Sequence, residues 1–138
     1  MKALLLENIH DEAVRTLREA GYEVERVSGA LGEDELIEAL DGVDLLGVRS
    51  RTQVTPKVVA QRGETLTAVG AFCIGTNQLA LDDLARAGVA AFNAPFSNTR
   101  SVVELVISEI IALARTRSYW LRSKPGTREK VEANLRSE

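Results

Sequence analysis

Leu45-Leu46-Gly47-Val48-Arg49-Ser50-Arg51-Thr52 sets a short apolar run directly against two arginines. Four apolar residues in a row suit a strand buried on both faces, as in a parallel sheet covered by helices. The flanks agree. Upstream, residues Glu33 to Leu40 put Leu36, Ile37 and Leu40 on one helical face and stop at Asp41-Gly42. Downstream, Pro56 fits the first position of a helix, where its missing N–H costs nothing. A strand between two helices is the repeating unit of an α/β fold.

The alternation continues outward in both directions. Ala3 to Leu6 reads as the first strand. His10-Asp11-Glu12 opens a helix in which Ala13, Leu17 and Ala20 recur at helical spacing, and Gly21 ends it. Tyr22 to Val27 reads as the second strand, Leu66 to Val69 as the fourth and Val89 to Phe92 as the fifth, with a helix over Leu81 to Ala87 closed by Gly88. The pattern predicts an α/β, flavodoxin-like, doubly wound five-stranded parallel sheet over residues 1–98. A long helix over 99–117 and a polar, basic tail over 118–138 follow. The helix is apolar nearly all round (Val102, Val103, Leu105, Val106, Ile107, Ile110, Ile111 and Leu113), which calls for burial against another domain or subunit.

Composition removes several function classes. The chain has 138 residues, 45% hydrophobic and 27% charged, so one domain can bury a core without staples, and disorder is excluded. A single Cys, Cys73, and a single His, His10, leave no disulfide, no Cys-rich zinc site and no His pair, so no metal is expected. The longest apolar stretch, Val102 to Ala114, is interrupted by Glu104, Ser108 and Glu109 and falls short of the ~18 residues of a membrane span. The N-terminus lacks the features of a signal peptide. A cytoplasmic protein with no membrane partner is expected. Net charge is −3, but residues 115–138 carry seven basic side chains against three acidic ones. That tail has no aromatic interleaving beyond Tyr119-Trp120, so it reads as a solvated segment and no nucleic-acid partner is expected.

In doubly wound sheets ligands bind beyond the carboxyl ends of the strands. After the third strand, Arg49 and Arg51 are two residues apart and in extended backbone share a face. Like charges held together are explained by an anion that both guanidinium groups grip, the alternative being two exposed surface arginines. After the fourth strand, Gly75 in Ala71-Phe72-Cys73-Ile74-Gly75-Thr76-Asn77 offers a left-handed turn that aims backbone N–H groups at an anion; a plain turn is the alternative. Cys73 reads as a small buried hydrophobe. After the fifth strand, Ser97, Asn98 and Thr99 are suitable N-caps, and Arg100 at the positive end of a helix calls for a nearby anion or carboxylate. Ser101 and Glu104 have capping-box spacing. His10 reads as solvent-facing. A phosphoacceptor receiver domain shares this element order, but it needs an Asp where Arg49-Ser50-Arg51 stands.

The runs Arg49-Ser50-Arg51-Thr52, Phe72-Cys73-Ile74-Gly75-Thr76-Asn77-Gln78 and Phe92-Asn93-Ala94-Pro95-Phe96-Ser97-Asn98-Thr99-Arg100-Ser101-Val102 resemble the D-isomer-specific 2-hydroxyacid dehydrogenases of the phosphoglycerate dehydrogenase type. The likeness covers about residues 2–115. It implies that 1–98 is a substrate-binding domain and 99–117 the crossover helix toward a nucleotide-binding domain. The implied reaction is NAD-dependent oxidation of 3-phosphoglycerate to 3-phosphohydroxypyruvate, in serine biosynthesis. The implied roles are substrate anion binding by Arg49, Ser50 and Arg51, a carboxylate and nicotinamide lining by Ile74, Gly75 and Thr76 with Ile74 toward the cofactor, and a place for Asn98 in the same cleft. The likeness fades from Arg117-Ser118-Tyr119-Trp120 onward, and no Gly-x-Gly-x-x-Gly occurs in the chain. The catalytic Arg, Glu and His of the resembled family lie in or beyond the nucleotide-binding domain, so no catalytic residue is assigned. The expectation is a fragment that binds substrate anion and is inactive alone. The other expectation is a non-catalytic interaction module that pairs with a full-length relative, or with itself as a homo-oligomer, through helix 99–117.

Overall fold

The computed structural model describes residues 1–96 and 99–123, with side chains through Arg115. The chain divides into two units, Met1–Ser97 and Asn98–Glu138. The first holds a five-stranded sheet in the order β2-β1-β3-β4-β5, with every neighbouring pair parallel. Its elements are β1 (Lys2–Leu5), α1 (Asp11–Glu19), β2 (Glu23–Arg26), α2 (Glu33–Ala39), β3 (Leu45–Val48), α3 (Pro56–Arg62), β4 (Ala68–Ala71), α4 (Leu81–Arg86) and β5 (Ala90–Asn93). The second unit contains α5 (Thr99–Ser123).

The period-two alternation of strand side chains divides the core. Leu4, Leu46, Val48, Val69 and Ala71 pack with Leu36, Ile37 and Leu40 at α2, Val58 and Val59 of α3, and Leu84 of α4. Leu5 points the other way and packs with Ile9, and with Val14, Ala13 and Leu17 of α1. Helices therefore lie on both faces, as the apolar runs of the strands require. The ends are conventional. Thr55 caps α3 by accepting the Val58 N–H at 3.3 Å, ahead of Pro56. Gly21 and Gly88 take positive φ just after α1 and α4.

Two elements have a boundary more than one residue away from the sequence expectation. β4 starts at Ala68, two residues later than the apolar run beginning at Leu66. Leu66 is buried, but its N–H reaches the Arg62 carbonyl at 3.3 Å, so it belongs to the turn after α3, and the ladder begins where Ala68 faces Leu45. The long helix runs to Ser123, past residue 117, because no Gly or Pro interrupts the sequence before Pro125. Within α5 the apolar side chains Val102, Val103, Leu105, Val106, Ile107, Ile110, Ile111 and Leu113 are exposed. Among the described residues, no helix is long and apolar enough to cross a membrane.

Candidate functional site

The strand order reverses between β1 and β3, and an α/β sheet of this order opens its crevice at their carboxyl ends. Here the chain fills part of that crevice itself. Just past β1, Glu7 adopts φ 59° and Asn8 φ 54°, a left-handed turn unusual for a glutamate. The turn sends the Glu7 carboxylate under the loop that follows β3. There it accepts the backbone N–H groups of Arg49 at 3.2 Å, Arg51 at 3.0 Å and Thr52 at 2.9 Å. Burial alone would raise the Glu7 carboxyl pKa, but the hydrogen bonds from Thr52, Arg51 and Arg49 outweigh it and hold the group below the usual carboxylate range. The Thr52 hydroxyl is buried beside the carboxylate and makes no hydrogen bond of proper geometry.

The N–H groups of Arg49, Arg51 and Thr52 are thereby spent on Glu7 and cannot meet an anion; the Ser50 N–H and the side chains of the loop can. Arg49, Ser50 and Arg51 are all exposed, at the end of β3 but no longer in the strand. Arg15, Arg26, Arg62, Arg86 and Arg100 each face a carboxylate. Among the described residues, the guanidinium groups of Arg49 and Arg51 have no such partner, although the chain carries net charge −3. Arg18, in the last turn of α1, and Arg115, in α5, are also without a carboxylate partner among the described residues.

Beyond β4 the loop 72–78 is fixed from two sides. The Asn93 carboxamide donates to the Ile74 carbonyl at 2.8 Å, and the Ala94 N–H to the Cys73 carbonyl at 3.0 Å. The backbone N–H groups of Ile74, Gly75 and Thr76 have no acceptor among the described residues. They are free to meet an anion. Gly75 does not adopt the left-handed conformation expected of it, since the positive-φ glycines are Gly21, Gly42 and Gly88. A Cβ there would stand 2.9 Å from the Asn77 Oδ1, the tip of an exposed side chain that can move aside. Cys73 is half-buried, and its thiol donates to the Gly75 carbonyl at 3.3 Å.

Two residues that tie this site together are given no role by the sequence. Glu7 is one. Gln78 is the other, almost fully buried, with its Nε2 donating to the Arg49 carbonyl at 2.9 Å and to the Gly75 carbonyl and Cys73 Sγ at 3.2 Å each. Glu7 shows in the sequence only as a polar residue next to an apolar run, and Gln78 only as the last residue of the run that begins at Phe72. Asn98 lies outside the described residues. Arg100 meets the carboxylate expected for it, because its Nε reaches Glu104 Oε1 at 2.8 Å; Glu104 is thereby engaged at i, i+4 instead of closing a capping box with Ser101. His10 caps α1, its exposed Nδ1 accepting the Glu12 N–H at 3.1 Å.

With this geometry in view, comparison with known proteins is decisive for the family. The D-isomer specific 2-hydroxyacid dehydrogenase catalytic domain matches residues 3–135. This chain belongs to that family. The match within it continues past residue 117, where the sequence alone loses the likeness. The chain is 49% identical to D-3-phosphoglycerate dehydrogenase 1 of Saccharomyces cerevisiae over 136 residues, covering 96% of the chain and 28% of the yeast protein. It is 49% identical to D-3-phosphoglycerate dehydrogenase of Escherichia coli strain K12 over 116 residues, covering 83% of the chain and 28% of that protein. Against solved structures, the fold matches D-2-hydroxyisocaproate dehydrogenase with TM-score 0.69 and 18% identity, covering 99% of this chain and 39% of that one. It also matches the NAD+-bound 3-phosphoglycerate dehydrogenase of Entamoeba histolytica with TM-score 0.67 and 23% identity, covering 80% and 38%. The 2-hydroxyacid dehydrogenase chain described here thus spans a little over a quarter, 28%, of the curated relatives it matches.

Proposed function

We propose that this chain is the substrate-binding part of a D-3-phosphoglycerate dehydrogenase, and that it binds the anionic substrate without turning it over. The supporting observation is the pair of partnerless guanidinium groups of Arg49 and Arg51, held at the carboxyl end of β3 by a buried carboxylate. Arg49, Ser50 and Arg51 take one anionic group of 3-phosphoglycerate or a related 2-hydroxy acid. The open N–H groups of Gly75 and Thr76 take the other. By the family resemblance, Asn98 also takes part in binding that substrate.

NAD, when bound, supplies the acceptor for the hydride that leaves C2 of the hydroxy acid. The described residues offer it little. Ile74, 49% exposed after β4, presents an apolar surface for one face of a nicotinamide. No Gly-x-Gly-x-x-Gly is present to hold the pyrophosphate. This chain's own contribution is to bind and orient the acid.

The test is a titration of the purified chain with 3-phosphoglycerate and with sulfate, read on the backbone amide NMR signals of residues 49–52 and 74–76. Saturable shifts are expected at both segments with 3-phosphoglycerate, and Arg51→Ala should remove them. Absence of shifts in the parent chain overturns the reading. NAD-dependent oxidation of 3-phosphoglycerate by the same preparation would overturn the inactivity.

A second reading has its own observation. The apolar side chains around α5 are exposed, and apolar patches of that extent mark interfaces. The chain would then act as a non-catalytic module that pairs through α5 with a full-length relative or with itself. Light scattering decides: a monodisperse monomer at all concentrations counts against it.

A further inference from the structure

We propose that Gln78 is a positioning residue that fixes the distance between the two anion-binding loops, so that the site selects a short acid with an anionic group at each end. The inference rests on the substrate-binding reading above and concerns its selectivity.

The two loops come from different strands, β3 and β4, and each carries one half of the recognition. The arginine loop offers side-chain charge, and the Ile74–Thr76 loop offers open N–H groups. A ligand with one anionic group needs only one of them. A ligand with two needs both, at a set spacing. Strand pairing ends at Val48 and Ala71, so the ladder no longer fixes that spacing beyond those residues.

Gln78 does. Its carboxamide reaches the Arg49 carbonyl in one loop and the Gly75 carbonyl in the other from a single nitrogen. Its own carbonyl accepts the Val54 N–H at 2.8 Å, and the Ala80 N–H returns to the Val54 carbonyl at 2.9 Å, so the backbone of Gln78 is stitched to the far end of the arginine loop. Gln78 is 3% exposed, and a buried amide held by acceptors from both loops keeps little rotamer freedom. The Cys73 thiol is a third acceptor for an NH2 that carries two hydrogens, so these bonds are shared. Glu7 serves the arginine loop alone, through the N–H groups of Arg49, Arg51 and Thr52.

This division of labour separates the two residues experimentally. Gln78→Met keeps length and bulk and removes the donor. It should weaken 3-phosphoglycerate binding by about fivefold to tenfold, the loss expected of a buried hydrogen bond, and sulfate binding by clearly less, because Glu7 still holds the arginine loop through the Arg49, Arg51 and Thr52 N–H groups. Glu7→Gln should weaken both anions, because it loosens the arginine loop itself. The readout is the dissociation constant of each anion from amide NMR titration of the 138-residue chain, with the dispersion of the spectrum reporting the fold. If Gln78→Met unfolds the chain, Gln78→Asn, one methylene short, takes its place with the same expectation. Equal weakening of both anions by the Gln78 variant, or no weakening of either, overturns the spacing role while Arg51→Ala still upholds the substrate-binding reading. A parent chain that binds neither anion overturns both.

Discussion

The Glu7 carboxylate and the Arg51 backbone N–H meet at 3.0 Å across 44 positions of sequence, joining the turn after β1 to the loop after β3. Because Glu7 also receives the N–H groups of Arg49 and Thr52, one side chain holds three backbone donors. Replacing it with alanine would leave those donors without an acceptor, and hydrogen bonds to a charged group are worth more than neutral ones. Glu7→Ala should therefore lower stability by about 2–4 kcal/mol, measured by urea unfolding at neutral pH.

The same carboxylate gives stability a pH dependence of definite sign. Its pKa in the folded chain lies below the ordinary value of 4.5, so the unfolded chain binds the proton more readily. The contribution is fully present above that ordinary value and is lost as pH falls through the depressed folded value. The stability gap between the parent and Glu7→Gln should hold constant from pH 7 to about 5 and narrow below about 4. A gap that widens on acidification would mean that Glu7 is held neutral instead.

The sequence is informative where structure depends on neighbours in the chain. β3 falls on Leu45–Val48 as expected, because an apolar run and its arginine stop are both local. α3 begins at Pro56 for the same reason. Leu66 misleads because an apolar residue in a turn can be as buried as one in a strand, and burial is all that an apolar run reports. Arg49 and Arg51 are visible as a charge pair at a strand end. Their support is not visible, because the donors that Glu7 serves lie 42 to 45 positions away and Gln78 acts across loops that only the sheet order brings together. A buried polar residue gives no periodicity to detect.

Core packing on the α2–α3–α4 side should be sensitive at its centre. Leu46 is completely buried on the middle strand of the sheet, with Leu36, Val58 and Val69 in the same cluster. Leu46→Ala removes those contacts and leaves a cavity that helices on that face can only partly close. The expected loss is about 2–5 kcal/mol, measured by the shift in the urea midpoint at unchanged slope.

The start of α3 depends on one hydroxyl that works twice. Thr55 Oγ1 accepts the Val58 N–H and donates to the Glu33 carboxylate at the start of α2. Thr55→Ala forfeits both, and the loss of the cap alone is about 1 kcal/mol. Thr55→Ser retains the hydroxyl and should restore most of the melting temperature. Equal melting of the alanine and serine variants would show that the cap contributes nothing.

Two glycines on adjacent strands make a paired test of how closely the α1 face of the sheet is packed. Gly47 on β3 stands opposite Gly70 on β4 in the ladder. A Cβ at Gly47 would come within 2.5 Å of Leu5 Cδ2 and within 3.1 Å of both Ile9 Cδ1 and Phe72 Cε2, so all three side chains would have to give. At Gly70 the nearest atom, again Phe72 Cε2, would be 3.4 Å away, an ordinary contact. Overpacking of the first kind costs about 1–3 kcal/mol. Gly47→Ala should therefore melt several degrees below the parent, while Gly70→Ala should melt close to it, because in a strand alanine also restricts the unfolded chain. The two variants differ in what they push on as well. Leu5 and Ile9 flank Glu7 in sequence, and Phe72 opens the loop to Gly75, so the strain at Gly47 reaches both supports of the anion site. Anion titration of Gly47→Ala should then show weakened binding in addition to the lower melting temperature, and an unchanged dissociation constant would show that the site is insulated from the packing beneath it.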